Sequence, residues 1–384
     1  KYVLPNGLQV ILHVDRKLPI VNVNQWFRVG SANERIGRSG FAHLFEHMMF
    51  QGSKNAPGEF FSLLDAAGAS RHDDEGNGRG VNGTTGLDRT NYFSTVPSGN
   101  LEYLLWIESD RLATLAETID QAKLDGQKLV VANERRYRYE NEPYGMARSF
   151  LSSNIFPLGH PYHGATIGGE DDLAGATTDE VKAFFRRYYT PNNMSLVIAG
   201  DFEPAEAKRL VEKYFGGIAP GPALDRPVRT AAKLDGEKIV EVNDRVRLER
   251  TYLAWPSPAY FDRDDADLEL AGTILASGSS ARLRKKLMFD RSIATNIWAS
   301  QYSNQIAGYF YTYVTANPGT DITEIEKLVT DEISRLAKEG PTADELARAK
   351  TKWEFAFIGS LEYLGGFGGK ADTLNYYNTF YGDP

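Results

Sequence analysis

Apolar and polar positions alternate with period two over several short stretches and then change to helical spacing, so the chain predicts a mixed α+β fold. Tyr2-Val3-Leu4, the turn Pro5-Asn6-Gly7 and the run Leu8 to His13 read as a hairpin. Ile20 to Val29, rich in valine and carrying Trp26 and Phe27, reads as a longer strand. Gly37-Arg38-Ser39-Gly40 then introduces a helix with Phe41, Leu44, Phe45, Met48 and Met49 at helical intervals. Residues 71–80 are polar and glycine-rich and predict a surface loop. A strand over Thr90 to Val96, helices from Asn100 to about Arg138, and a strand over Met194 to Ala199 complete this part.

The order of elements then restarts. Gly216 to Asp235 holds Gly216-Gly217, Pro220-Gly221-Pro222 and Pro227 with little apolar pattern, as a linker would. Beyond it, Ile239-Val240-Glu241-Val242 and Thr251 to Trp255 predict strands, and Leu268 to Leu275 a helix. Gly308 to Val314 is a strand similar to Thr90 to Val96, and Ile322 to Ala337 and Ala343 to Phe355 predict helices. The expectation is two related α+β domains, each an antiparallel sheet packed with helices. The first covers 1–218, a linker 219–236, and the second 237–384, the last without a clear terminal helix and expected to be truncated or disordered at its end.

Composition narrows the function. The 384 residues are too many for one ordinary core. A charge of −8 without a Lys/Arg cluster argues against a nucleic-acid partner. No apolar run reaches the length of a membrane span. The absence of cysteine restricts any metal to His, Asp or Glu ligands and suits an oxidising compartment, periplasmic or secreted, with a cytoplasmic location as the alternative.

The segment His43-Leu44-Phe45-Glu46-His47 carries the chemistry. Histidines four apart on a helix lie on one face, one turn apart, as two neighbouring ligands of a tetrahedral zinc would. Glu46 lies on nearly the same face and can take a proton from a water activated there. A catalytic zinc needs a third protein ligand. Glu134, on a predicted helix beginning near Gln121, is one candidate; Glu102, Glu108, Glu140 and Glu142 compete with it on these grounds. His160-Pro161-Tyr162-His163 predicts an ordered loop, since Pro161 breaks the helical spacing a second metal site would use. His13 and His72 have no partner pattern. Gly365-Gly366-Phe367-Gly368-Gly369 predicts a flexible hinge, and Tyr376-Tyr377 and Phe380-Tyr381 core or interface.

Taken together, Leu4-Pro5-Asn6-Gly7-Leu8, Gly40 to Phe50, Asn82-Gly83-Thr84-Thr85, Asp88-Arg89-Thr90, Asn133-Glu134, Glu140 to Gly145 and Gly159-His160-Pro161-Tyr162 resemble the pitrilysin, insulysin and mitochondrial processing peptidase group, the inverzincins. The resemblance runs over nearly the whole chain. It implies zinc held by His43, His47 and Glu134, with Glu46 as general base. Glu134 lies 87 positions beyond His47, somewhat farther than is usual in the group; the 71–80 loop accounts for the excess. Where the group often has a supporting glutamate seven positions before the third ligand, this chain has Gln127, so the support of the zinc ligands differs.

The resemblance further implies that a peptide substrate adds as a strand to a sheet edge within Asn82 to Val96, with Asn82, Gly83 and Thr84 as contacts. An ordinary turn is the competing reading of Asn82-Gly83. Family chambers hold four such domains, so a partner chain is implied. Positions 288 and 295, where the group has an Arg and a Tyr for the substrate carbonyl, hold Met288 and Thr295. The expectation is a zinc metalloendopeptidase subunit completed by a related subunit that supplies Arg and Tyr. A non-catalytic structural or peptide-binding subunit is the alternative.

Overall fold

Strand segments and helices follow one another in two similar series. The computed structural model of the chain describes residues 1–69 and 80–384; the expected 71–80 loop lies almost entirely outside them, as does His72. The strands are β1 (Tyr2–Val3), β2 (Gln9–Val14), β3 (Ile20–Phe27), β4 (Val81–Thr85), β5 (Thr90–Pro97), β6 (Met194–Gly200), β7 (Arg250–Ser257), β8 (Ala294–Ser303) and β9 (Gly308–Ala316). The helices that matter below are α1 (Phe41–Met48), α2 (Leu101–Thr118), α3 (Gln121–Arg135), α4 (Ala147–Ile155), α5 (Asp265–Ala276), α6 (Ile322–Glu339), α7 (Ala343–Ser360) and α8 (Lys370–Phe380).

The first compact unit comprises Lys1–Tyr137, Gly164–Asp225 and Ile358–Pro384. Its sheet has six strands in the order β1-β2-β6-β3-β5-β4. Most pairs are antiparallel, but β2 and β6 run parallel, which corrects the expectation of a purely antiparallel sheet. β6 (MSLVIAG) is buried throughout and sits inside the sheet, as an apolar run without alternation should. β3 is as buried although it holds Asn22, Asn24 and Gln25; their amide nitrogens donate hydrogen bonds to Ser94, Thr95, Asp372 and Glu108.

The second unit comprises Arg138–His163 and Arg226–Phe357. Its sheet has the order β7-β9-β8, repeating the order β3-β5-β4 of the first, and two long helices follow the strands in each. Its core gathers Leu275, Leu283, Ile297, Val314, Ile325 and Val329 between sheet and helices. Residues 239–242, expected as a strand, form no ladder: Ile239 is 81% exposed, and the alternating pattern there has no neighbouring strand to bond.

The units are discontinuous, and this departs from the expected 1–218 and 237–384 domains. Residues 138–163 belong with the second unit, and 358–384 with the first. A terminal helix does exist: α8 packs on β3 and β6. Trp26 meets Tyr376 and Phe380 edge to face at 6.2 and 5.8 Å. The glycine run before α8 is not a free hinge. A side chain on Gly365 would collide with Asn22, and Phe367 packs edge-on against Phe93, so glycine here serves close approach.

Asp372 fixes α8 to the sheet. Its Oδ1 accepts from Asn24 Nδ2 (3.2 Å), Trp26 Nε1 (2.8 Å) and Asn91 Nδ2 (2.9 Å), and its Oδ2 from the Gly368 amide (2.9 Å). Asp372→Ala strands these buried donors. It is expected to cost on the order of 3 kcal/mol, read as a lower urea midpoint.

Candidate metal centre

α1 begins at Gly40, whose φ of +84° only glycine adopts without strain, and its Leu44, Phe45 and Met48 are buried. Phe45 stacks among Phe184, Phe185 and Tyr189. With that face anchored, His43 and His47 turn toward α3, and their rings meet edge to face at 4.8 Å. α1 and α3 pack against each other, and Glu134, in the last turn of α3, comes between the rings. Glu134 Oε2 lies 3.6 Å from His43 Nε2 and 3.2 Å from His47 Nε2. One donor atom from each of the three residues lies within 4.8 Å of the others, the one such group of three among the described residues.

The other acidic candidates lie elsewhere. Glu108 is buried against Arg111 (2.7 Å) and receives Gln25 Nε2. Glu102 pairs on the surface with Lys213 and Tyr214. Glu140 and Glu142 are exposed. His160 Nε2 faces the Thr230 carbonyl at 3.2 Å and His163 Nδ1 the Phe156 carbonyl at 2.8 Å, so their rings serve the loop, as expected of them.

Glu46 is 7% exposed. Its Oε2 accepts a 2.6 Å hydrogen bond from Thr85 Oγ1. Burial pushes its pKa up, and the Thr85 bond and the facing His47 act to lower it. Thr85 was not singled out in the sequence. It ends β4, and only the β4–β5 register (Thr85 opposite Thr90) and the packing of α1 on β4 bring it to Glu46. Gln127, at the position from which the group often supplies a carboxylate, faces the His47 ring as an uncharged side chain and adds a little to the rise of its pKa.

Of the expected peptide contacts, Asn82, Gly83 and Thr84 all lie on β4, the outermost strand of the six-stranded sheet. β5 is interior, paired on both sides, so the available edge is β4 alone. Asn82 Oδ1 accepts from the Gly83 amide, and Thr84 Oγ1 donates to Asn91. In the second unit, Met288 packs against the core and Thr295 sits at a bulge in β8, its hydroxyl on the Thr315 carbonyl.

The metal-free site has a definite proton balance. Burial works against a charged His47 ring, but the hydrogen bond to Glu134 and the charges of Glu46 and Glu134 outweigh it, and the pKa rises above 6.5. That contribution to stability is complete below the unfolded value and is lost as pH rises through the folded one. Buried Glu46, also raised, favours its neutral form in the folded state and acts in the same direction. A metal must displace the His47 proton. Zinc is therefore expected to raise the melting temperature more at about pH 8 than at about pH 6, checked by thermal scans in EDTA and in zinc.

Two imidazole nitrogens and a carboxylate converging from two helices are three donors, the number of protein ligands that fits zinc in a catalytic rather than a structural setting. Helices that carry His-x-x-Glu-His in this order characterise one class of zinc-dependent peptidases. Residues 9–163 match the family described as insulinase (peptidase family M16), and residues 175–352 match the peptidase M16 inactive domain. The chain belongs to this family. The zinc protease PqqE of Helicobacter pylori is 29% identical over 366 residues, 94% of this chain and 79% of that protein. The crystal structure of a protease from Helicobacter pylori superposes with a TM-score of 0.86 at 27% identity, over 100% of this chain and 89% of that one. The periplasmic protease PqqL of Escherichia coli gives a TM-score of 0.76 at 20% identity, over 100% of this chain but 42% of that one, a likeness of fold.

Proposed function

We propose that this chain is the zinc-bearing subunit of a metalloendopeptidase that cleaves peptides or unstructured protein segments. The observation that carries the reading is the convergence of His43, His47 and Glu134 beside a buried Glu46. Zinc held by those three residues would act as a Lewis acid, acidifying a water and polarising the scissile carbonyl. Glu46 accepts the proton of the attacking water at its carboxylate and returns it to the leaving amine. Thr85 holds one carboxylate oxygen, which leaves the other for that transfer. Gln127 orients the His47 ring. The peptide adds along the outer edge of β4, where Asn82, Gly83 and Thr84 offer backbone and side-chain partners.

The second unit supplies no Arg or Tyr at positions 288 and 295, and the matched domain there is described as inactive. A related partner chain would provide them. PqqL, more than twice as long, is the kind of protein in which two such halves share one chain. Its description as periplasmic, with the absence of cysteine here, favours a periplasmic location. Among the described residues no helix is long and apolar enough to cross a membrane.

Zinc content and hydrolysis of a quenched-fluorescent peptide library test the reading, with and without a candidate partner that carries the Arg–Tyr pair. The single chain is expected to bind zinc and to hydrolyse the library at least about tenfold more slowly than the pair. Full activity from the single chain would remove the partner from the reading; absence of zinc would remove the reading itself.

A further inference from the structure

α1 is two turns long, and its first turn has no capping side chain of its own, because Gly40 stands at the cap. Unsatisfied amides at a helix start need acceptors from elsewhere. Glu34, six residues before the cap and outside the helix, supplies them. Its Oε2 accepts from the Gly40 amide at 2.9 Å and its Oε1 from the Ala42 amide at 2.7 Å. The side-chain carboxyl group, whose pKa burial pushes up to about 8, thus spans the turn from which His43 projects, and His47 follows one turn later.

A second contact acts on the same turn. A β-carbon on Gly40 would come within 2.8 Å of the Ile167 carbonyl and 2.9 Å of Gly168 Cα, so the two backbones touch. Arg135, next to Glu134 at the end of α3, donates to the Gly168 carbonyl. Ser39 is gripped as well, its amide and hydroxyl on Asp172 Oδ2 at 2.9 and 2.6 Å. The start of the helix with the two histidines and the end of the helix with the glutamate are therefore bound to one segment, residues 167–172.

We infer that Glu34 is a positioning residue for the metal centre: it caps α1 from outside and, with the Gly40–Gly168 contact, sets His43 and His47 against Glu134. Glu34 touches neither metal nor substrate. Its effect passes through the first turn of α1 and appears in metal affinity and ligand geometry. This rests on the zinc reading of His43, His47 and Glu134.

The test uses the full chain and needs no partner. Zinc affinity is measured by chelator competition, and ligand geometry by the visible absorption of the cobalt(II) form, for wild type, Glu34→Gln, Glu34→Ala and Gly168→Ala. Glu34→Gln keeps the shape but turns an amide NH₂ toward a backbone N–H. It is expected to weaken zinc binding by roughly tenfold, Glu34→Ala and Gly168→Ala by at least as much, each with an altered cobalt band and wild-type circular dichroism. The surface variant Glu203→Gln, at a residue paired with Arg16, is expected to match wild type. Wild-type affinity and cobalt spectra in both Glu34 variants would overturn the inference while leaving the zinc reading standing. Loss of affinity that follows loss of helical signal in all three variants would also overturn it, since the role would then be folding alone. A wild-type chain that binds no zinc would overturn both.

Discussion

Glutamine at position 46 is expected to reduce peptide hydrolysis by about a thousandfold while zinc content stays at the wild-type level. The substitution keeps the volume of a side chain that is 7% exposed, and the amide oxygen can still accept from Thr85. What it loses is the ability to take a proton. Glu46 is absent from the converging donor set of His43, His47 and Glu134, so metal retention should not depend on it. Metal analysis and hydrolysis on the same preparation, with the partner present, decide the matter. If Glu46→Gln binds zinc and hydrolyses normally, the proton is taken by another group.

Glu134→Gln is expected to act on the other half of the site. Removing the one anionic ligand should weaken zinc binding on the order of a thousandfold, and hydrolysis should fall with zinc occupancy. Glu134 Oε2 lies 3.6 Å from His43 Nε2 and 3.2 Å from His47 Nε2. Its charge also helps hold a proton on His47 in the metal-free chain, so the variant should shed that proton at lower pH. Chelator competition reads the affinity, and NMR titration of the His47 ring reads the proton. Glu142→Gln, an exposed glutamate from the same stretch, is the comparison. Equal zinc affinity in the two variants would exclude Glu134 as a ligand.

The two parts of the site differ in how far they could be read from the sequence. His43, Glu46 and His47 are legible because their relation is local: one helix, fixed by spacing. Glu134 is not legible from spacing, since 87 positions separate it from His47 and four other glutamates fit the bare requirement; family resemblance singles it out. Thr85 escaped because its contact depends on strand register and on α1 packing over β4, both non-local. Among the elements, long helices and strands with clear periodicity fall close to where the pattern placed them. Residues 239–242 do not, because alternation describes a strand only when another strand supplies its hydrogen bonds. The 365–369 run misled for a related reason: glycine permits mobility and close packing alike, and only the neighbour, here Asn22, decides.

The crossing of residues 138–163 and 358–384 between the two units bears on how the chain matures. Synthesis proceeds from the N-terminus, and domains usually fold as they emerge. Here His43, His47 and Glu134 have all left the ribosome long before α8, yet α8 supplies Asp372 to Asn24, Trp26 and Asn91 of the sheet beneath them. Until then the unit with the metal ligands has a sheet face uncovered and three buried donors without their acceptor. The unit that carries His43, His47 and Glu134 is therefore completed only after the residues of the second unit have also been made.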